Sequence, residues 1–486
     1  MRHSWKVLIL VLAAALAAQA DTIILKSGRK ISATEVHERG DRVVYETPAG
    51  EMSLPKSIVD HIEQGPSAAF ATGGAGGGNA AAAAAMVGIP PPVASDNGFD
   101  EVTKAVLAGG SINRTYLLKL DGDSQSGGNM AVERMAIGHH AAAQFELRKG
   151  DLNQAVGQYQ RALTLAPDHV GLLLNLSAVL IRESQFSEAI DSLERAKRTA
   201  PKNFYVAKFL GMAYYGANKN DQAVEEWKRA IALHSDPDLQ RQLEEVERRQ
   251  KEEADYREGR SAHFQVRYNG AAAPASLVGD ILRTLESHFA VIESALNYTP
   301  REPIGVVLYT SQAYTQVTGA PDWAVAMTDA MYSHISVPTQ GLTGVNSELS
   351  STLKHELTHA FIAQKTRNHC PVWMQEGMAQ WMEGIRARDN AAEFVALFDQ
   401  RKMTVPLAGL EGSWMAMSNP QAMAAYGWAI SVIEYIVSTG GMGDIERILD
   451  HMASEPFEDS VHSVLRMDYS ELQEETINYL RKTYVR

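Results

Sequence analysis

Cysteine is almost absent: Cys370 is the single one in 486 residues. A lone thiol excludes an intramolecular disulfide framework and a thiolate-held metal cluster, so any metal site must use His, Asp and Glu. An excess of basic charge is missing too. The formal net charge is −13 and the pI is near 5.6, which argues against nucleic acid as a partner, since that needs a basic face opposite the phosphates. Beyond the first 20 residues there is no apolar run of roughly 18 or more, so the mature chain is expected to have no transmembrane helix. What is present is ample material for packed cores, 45% apolar and 21% charged residues. The length suits about three domains.

Residues 1–20 read as a signal peptide. Arg2 and Lys6 precede an apolar stretch from Val7 to Ala18, and Ala18-Gln19-Ala20 supplies the small-x-small cleavage pattern. The protein is therefore expected to be exported, periplasmic or secreted. Residues 21–64 suggest a small β domain, with strand-like runs at Thr22–Lys26 and Asp41–Thr47 and turn signals at Ser27-Gly28 and Pro48-Ala49-Gly50. Residues 65–128 read as a Gly/Ala/Pro-rich linker. Its tether-like core is the glycine run after Thr72, the Ala80–Ala85 tract and Pro90-Pro91-Pro92, while the part after residue 97 mixes helical pattern with Gly and Ser breaks.

Residues 129–257 carry an internal repeat of period 34. Ala155, Ala189 and Ala223 keep that spacing, as do Ala162, Ala196 and Ala230; Tyr159, Leu193 and Trp227 supply a recurring large side chain. Pro167 and Pro201 match, and turn-competent Gly150, Ser184 and Asn218 recur inside each unit. Small residues suit close approach of paired helices, and the large one fills the gap between units. These units resemble tetratricopeptide repeats, three of them, the first departing with Glu146 where an aromatic is usual. The resemblance implies an α-solenoid, closed by a charged helix near Pro237–Arg257, whose groove takes a protein partner or substrate. His139 and His140 are expected on its surface.

The remaining residues read as α+β, a small sheet followed by helices: a catalytic domain over 258–390 and a helical subdomain over 391–486. Ala262–Tyr268, Ile304–Tyr309 and Met331–Val337 read as strands, and Ala275–Leu296 as an amphipathic helix. His355-Glu356-Leu357-Thr358-His359 is an HExxH motif. On a helix its histidines stand one turn apart on one face and both reach a single ion. Leu349, Leu353, Leu357 and Phe361 form an apolar row on another face, which packs on the core. A catalytic zinc site wants three protein ligands and one open position. Glu376 follows His359 by 17 residues, in a second helix that Pro371 can start. Glu383 is its nearest rival. A metzincin site is excluded, because Ile362 and Lys365 stand where it needs Gly and His.

Over residues 258–390 the chain resembles the gluzincins, specifically the peptidase-MA-like domain, whose second helix carries a stretch matched by Trp373, Glu376, Gly377 and Ala379. The resemblance implies one Zn2+ on His355, His359 and Glu376, with Glu356 as general base. It also suggests Tyr426 as oxyanion donor, the competing role being packing with Ile430 and Ile433. The motif of gluzincin aminopeptidases is absent, which favours an endopeptidase. Gln380 stands where thermolysin-like enzymes place an Asp behind a histidine ligand, leaving that support undefined. The Met331–Val337 strand is expected to pair with extended substrate, with His334 on the surface and Cys370 buried. The expected function is an exported zinc metallopeptidase; the alternative is a non-catalytic, periplasmic repeat scaffold.

Overall fold

A computed structural model of the chain describes residues 21–25, 30–33, 36–39, 42–47, 50–56, 59–64, 99–149, 151–270, 273–318, 326–329, 334–339, 341–400, 407–414, 417–453 and 455–485. The signal-peptide segment, the glycine and polyalanine tether and the Ser27-Gly28 turn lie outside the described residues. Within 21–64 the strands are β1 Asp21–Leu25, β2 Lys30–Ala33, β3 Val36–Arg39, β4 Arg42–Thr47, β5 Gly50–Pro55 and β6 Val59–Gln64. They pair antiparallel in two triplets, β2-β1-β6 and β3-β4-β5.

The helices begin earlier than the linker expectation allowed. Helices α1 Phe99–Val106 and α2 Arg114–Ser126 precede α3 Gly128–Arg148. Residues 99–126 are thus largely helical rather than linker: Val102 and Val106, and Leu117 and Leu120, form apolar edges at helical spacing that join the core of the repeats. The same two helices explain a second correction. His139 and His140 are buried rather than on the surface, because α1 and α2 pack on α3.

Paired helices follow: α4 Leu152–Leu165, α5 Val170–Arg182, α6 Phe186–Thr199, α7 Phe204–Gly216, α8 Asn220–Leu233 and the closing α9 Pro237–Glu252. All six periodic alanines are fully buried. Trp227 lies so close to Gly211 that a Cβ there would stand 2.3 Å from the indole. Ser184 and Asn218 take positive φ (53° and 60°) in the turns between paired helices, a conformation short polar residues tolerate better than most.

The C-terminal region is built on strands β7 Tyr256–Arg260, β8 Phe264–Asn269, β9 Ile304–Tyr309, β10 Met327–Asp329 and β11 His334–Pro338. Their order is β10-β11-β9-β8-β7; the three central strands are parallel and the two outer ones antiparallel to their neighbours. Helix α10 Ala275–Leu296 lies between β8 and β9, and α11 Ser311–Thr318 follows β9. Then come α12 Ser347–Thr366, α13 Val372–Glu383, α14 Arg388–Asp399, α15 Asn419–Gly440, α16 Met442–Met452, α17 Phe457–Leu465 and α18 Tyr469–Tyr484. Among the described residues no helix is long and apolar enough to cross a membrane.

Of the strand expected to receive substrate, residues 331–333 lie outside the described residues, and the described part, β11, is interior. β11 is paired on both sides, so the edge belongs to β10. His334 is buried, not exposed. Its ring meets Tyr215 of α7 at 5.1 Å between centroids, and burial pushes the imidazole pKa down to about 3.

The repeats and the sheet are fastened together by polar contacts. The Ser187 N–H and hydroxyl donate to the Glu302 carboxylate at 3.0 and 3.1 Å, capping the start of α6 from 115 residues away. Glu253, just after α9, is buried; it forms an ion pair with Arg267 (2.6 Å) and accepts from the Tyr309 hydroxyl. Arg367, after α12, pairs with Glu183 at 2.5 Å.

Candidate metal centre

Helix α12 starts where Asn346 accepts the Leu349 N–H, a standard N-cap. Its apolar row is buried as the spacing predicts: Leu353, Leu357 and Phe361 are inaccessible, and Phe361 meets Phe289 of α10 edge-to-face at 4.9 Å. That fixes the rotation of the helix and turns His355 and His359 together toward α13. The chain reverses through Arg367 and Asn368, both with positive φ, and Pro371 takes the N-cap position of α13. Gly377 lets α13 press on α15; a Cβ there would stand 2.7 Å from the Ala429 carbonyl oxygen. Glu376, one residue earlier, is thereby carried against α12.

The result is a compact donor set. One nitrogen each of His355 and His359 and one oxygen of Glu376 all lie within 4.8 Å of one another. The imidazole centroids are 4.8 Å apart. Glu376 Oε2 is 3.3 Å from His355 Nε2 and 3.5 Å from His359 Nε2, yet it is buried and makes no hydrogen bond. A buried, unpartnered carboxylate oxygen costs stability unless something neutralises it. Two imidazole nitrogens and one carboxylate are the donors zinc takes in three-ligand sites, so the residues fit a zinc ion. Burial by itself would raise the Glu376 pKa, but the two imidazoles outweigh it and hold the group well below the usual carboxylate range. Side-chain exposures of 18% for His355 and 16% for Glu376 leave the cluster open to water on one side.

The support left undefined by Gln380 comes from elsewhere. His355 Nδ1–H donates to Glu383 Oε1 at 2.6 Å, which aims Nε2 at the cluster. Glu383, weighed from sequence as a rival ligand, therefore holds the far nitrogen of a histidine instead. Gln380 bonds the carbonyls of Tyr426 (3.0 Å) and Glu376 (3.2 Å), tying α15 to α13. Tyr426 is brought to the centre: burial and the adjacent carboxylates, with a hydrogen bond to Glu376 among them, raise its phenol far above its ordinary value. Glu356 is buried, with Thr328 Oγ1 2.7 Å from its Oε2 and 3.1 Å from its carbonyl oxygen. Sequence reasoning missed Thr328; no motif surrounds it, and only the pairing of β10 brings it to α12. His369 stays outside the cluster, on the Thr366 carbonyl at 3.1 Å, and Cys370 is a buried free thiol as expected.

Residues 285–482 match the Peptidase MA superfamily and residues 146–211 the tetratricopeptide repeat. The chain thus carries a Peptidase MA superfamily domain behind a tetratricopeptide-repeat region. Over 128 residues it is 28% identical to the Hsp70-Hsp90 organizing protein of Triticum aestivum, a stretch covering 24% of this chain and 22% of that protein. The chain therefore spans about a fifth of that relative's length. The solved structure of the MamA RS-1 ArsTM double mutant aligns with 32% of this chain and 86% of its own, at 21% identity and a TM-score of 0.26.

Proposed function

We propose that this protein is a zinc-dependent metallopeptidase that hydrolyses peptide bonds, and that it acts after export. The observation that carries the proposal is the buried Glu376 Oε2, which makes no hydrogen bond and lies 3.3 and 3.5 Å from His355 and His359 Nε2. When bound there, zinc would supply a Lewis acid and an acidified water. The chain's own groups do the rest. Glu356, adjacent in sequence but not among the ligands, takes a proton from the attacking water and returns it to the leaving amine. Tyr426 donates to the developing oxyanion. Edge strand β10 offers backbone groups to an extended substrate. The repeats recruit the protein substrate or a partner, while the strands of 21–64 and the tether anchor the enzyme near its target.

The test is zinc per chain in the purified protein, with Glu376→Ala and Glu356→Gln alongside. The expected result is about one zinc in the wild type and in Glu356→Gln, and little in Glu376→Ala. Glu356→Gln should also lose about 10²- to 10⁴-fold in turnover on a quenched-fluorescent peptide mixture. If no variant or wild type holds zinc after refilling, the repeat scaffold becomes the function. Export predicts a mature N-terminus at Asp21, readable by intact-mass measurement of the secreted or periplasmic protein.

A further inference from the structure

Strand β10 has three residues and, among the described residues, pairs on one side only, with Met327 opposite Ser336, Thr328 opposite Ile335 and Asp329 opposite His334. So short an edge has little backbone pairing to hold it in place. Yet it carries the hydroxyl nearest the proposed general base. The Thr328 side chain is buried, and its hydroxyl has one proton to give. At 2.7 Å from Glu356 Oε2, against 3.1 Å from the Glu356 carbonyl oxygen, it engages one carboxylate oxygen and leaves the other for the reaction.

The repeats steady this strand. His334, opposite Asp329 in register, rests on Tyr215 of α7. Closing helix α9 packs on α11, the helix between β9 and β10. Arg249 of α9 is largely buried and lies in the field of Asp329. Its other carboxylate neighbour is Glu245, at 2.8 Å on its own helix. β11 is therefore covered from the repeat side at His334, and Thr328 of the paired β10 is bonded from the α12 side.

We propose that Thr328 is a positioning residue for the Glu356 carboxylate, and that the repeats keep it in place by clamping β10 and β11 through Arg249 and Tyr215. On this view the repeat region is part of the working site as well as a recruiter. The inference rests on the peptidase assignment of Glu356 made above.

The experiment compares Thr328→Val, Thr328→Ser, Arg249→Met and Glu247→Gln with wild type and Glu356→Gln. Glu247 is a control on the same helix, paired with Lys228 of the repeats at 2.6 Å. Zinc content, kcat and KM on the peptide mixture, and amide hydrogen exchange through β10 and β11 are measured for each. Thr328→Val should keep its zinc and KM and lose up to about 100-fold in kcat, the scale of a misplaced catalytic group. Thr328→Ser should recover to within about threefold, since it keeps the hydroxyl. Arg249→Met should lower kcat with zinc retained and speed exchange through β10, while Glu247→Gln changes neither. Exchange needs no turnover, so the clamp is tested even on inactive protein. Wild-type kcat in Thr328→Val beside an inert Glu356→Gln overturns the role of Thr328 and leaves the peptidase standing. Unaltered β10 exchange in Arg249→Met overturns the clamp. An active Glu356→Gln removes the peptidase assignment itself. If Thr328→Val does not fold, Thr328→Ser against Thr328→Ala makes the same comparison.

Discussion

A buried histidine–carboxylate cluster in the repeats and a half-buried one in the peptidase domain are finished differently. In the repeats, His139 Nε2 lies 2.7 Å from Asp121 and Nδ1 lies 3.0 Å from Gln158, while Arg161 donates to the other Asp121 oxygen at 3.0 Å. The ring and the carboxylate are both fully engaged by protein. In the peptidase domain, His355 is also held by a carboxylate, here on Nδ1, but its Nε2 faces a Glu376 oxygen that makes no hydrogen bond. A closed network ties helices together and specifies their packing. An open one, with three donor atoms converging on a gap, is suited to a guest. Residue types alone do not separate the two; the unpaired oxygen does.

One substitution placed in both clusters tests that contrast most sharply. His359→Gln should abolish zinc retention, measured as metal per chain, because an amide is a poor replacement for an imidazole ligand. Tyr426→Phe should keep zinc and lose about 10²- to 10³-fold in kcat if its hydroxyl meets the oxyanion. Unchanged kcat would reduce Tyr426 to a packing residue. Glu383→Gln should weaken zinc binding about 10- to 100-fold in chelator competition, the usual cost of losing a partner behind a histidine ligand. An acid titration followed by circular dichroism addresses the repeats. Burial lowers the His140 pKa to about 4, so between that value and 6.5 the unfolded chain binds the extra proton. The corresponding stability is present above pH 6.5 and is lost as pH falls toward 4, about 2 kcal/mol of it by pH 5. Smallest of all, His139→Gln should cost only about 1 kcal/mol, since an amide can still bond Asp121, and should leave zinc and turnover alone.

The periodic alanines and the HExxH motif were legible because each is local. A 34-residue period reports the same helix-pair contact again and again, and an i, i+4 histidine pair needs a single turn of helix. Glu376 was legible through the stretch from Trp373 to Ala379. What escaped depends on contacts between distant segments. The burial of His139 and His140 required α1 and α2, whose Gly and Ser content hid their short apolar edges. His334 was misplaced because its strand is interior and covered by Tyr215, 119 positions earlier. Thr328 and Glu356 are 28 residues apart and meet only when the sheet closes beside α12. Gln380 and Glu383 show a subtler limit: both stand on α13, and the phase of that helix against α12 decides which one meets His355.

The Glu302 cap on α6 has a consequence for the order of synthesis. Ser187 leaves the ribosome 115 residues before its carboxylate partner, an interval of about 6 to 23 s at ordinary elongation rates. During that time the repeats must stand on contacts between neighbouring helices alone, which are short in sequence and quick to form. The sheet arrives second, and the surface it meets is already shaped. Tyr215 and Arg249 await β10 and β11 before either strand exists, so the first half of the chain serves as the mould on which the second half sets.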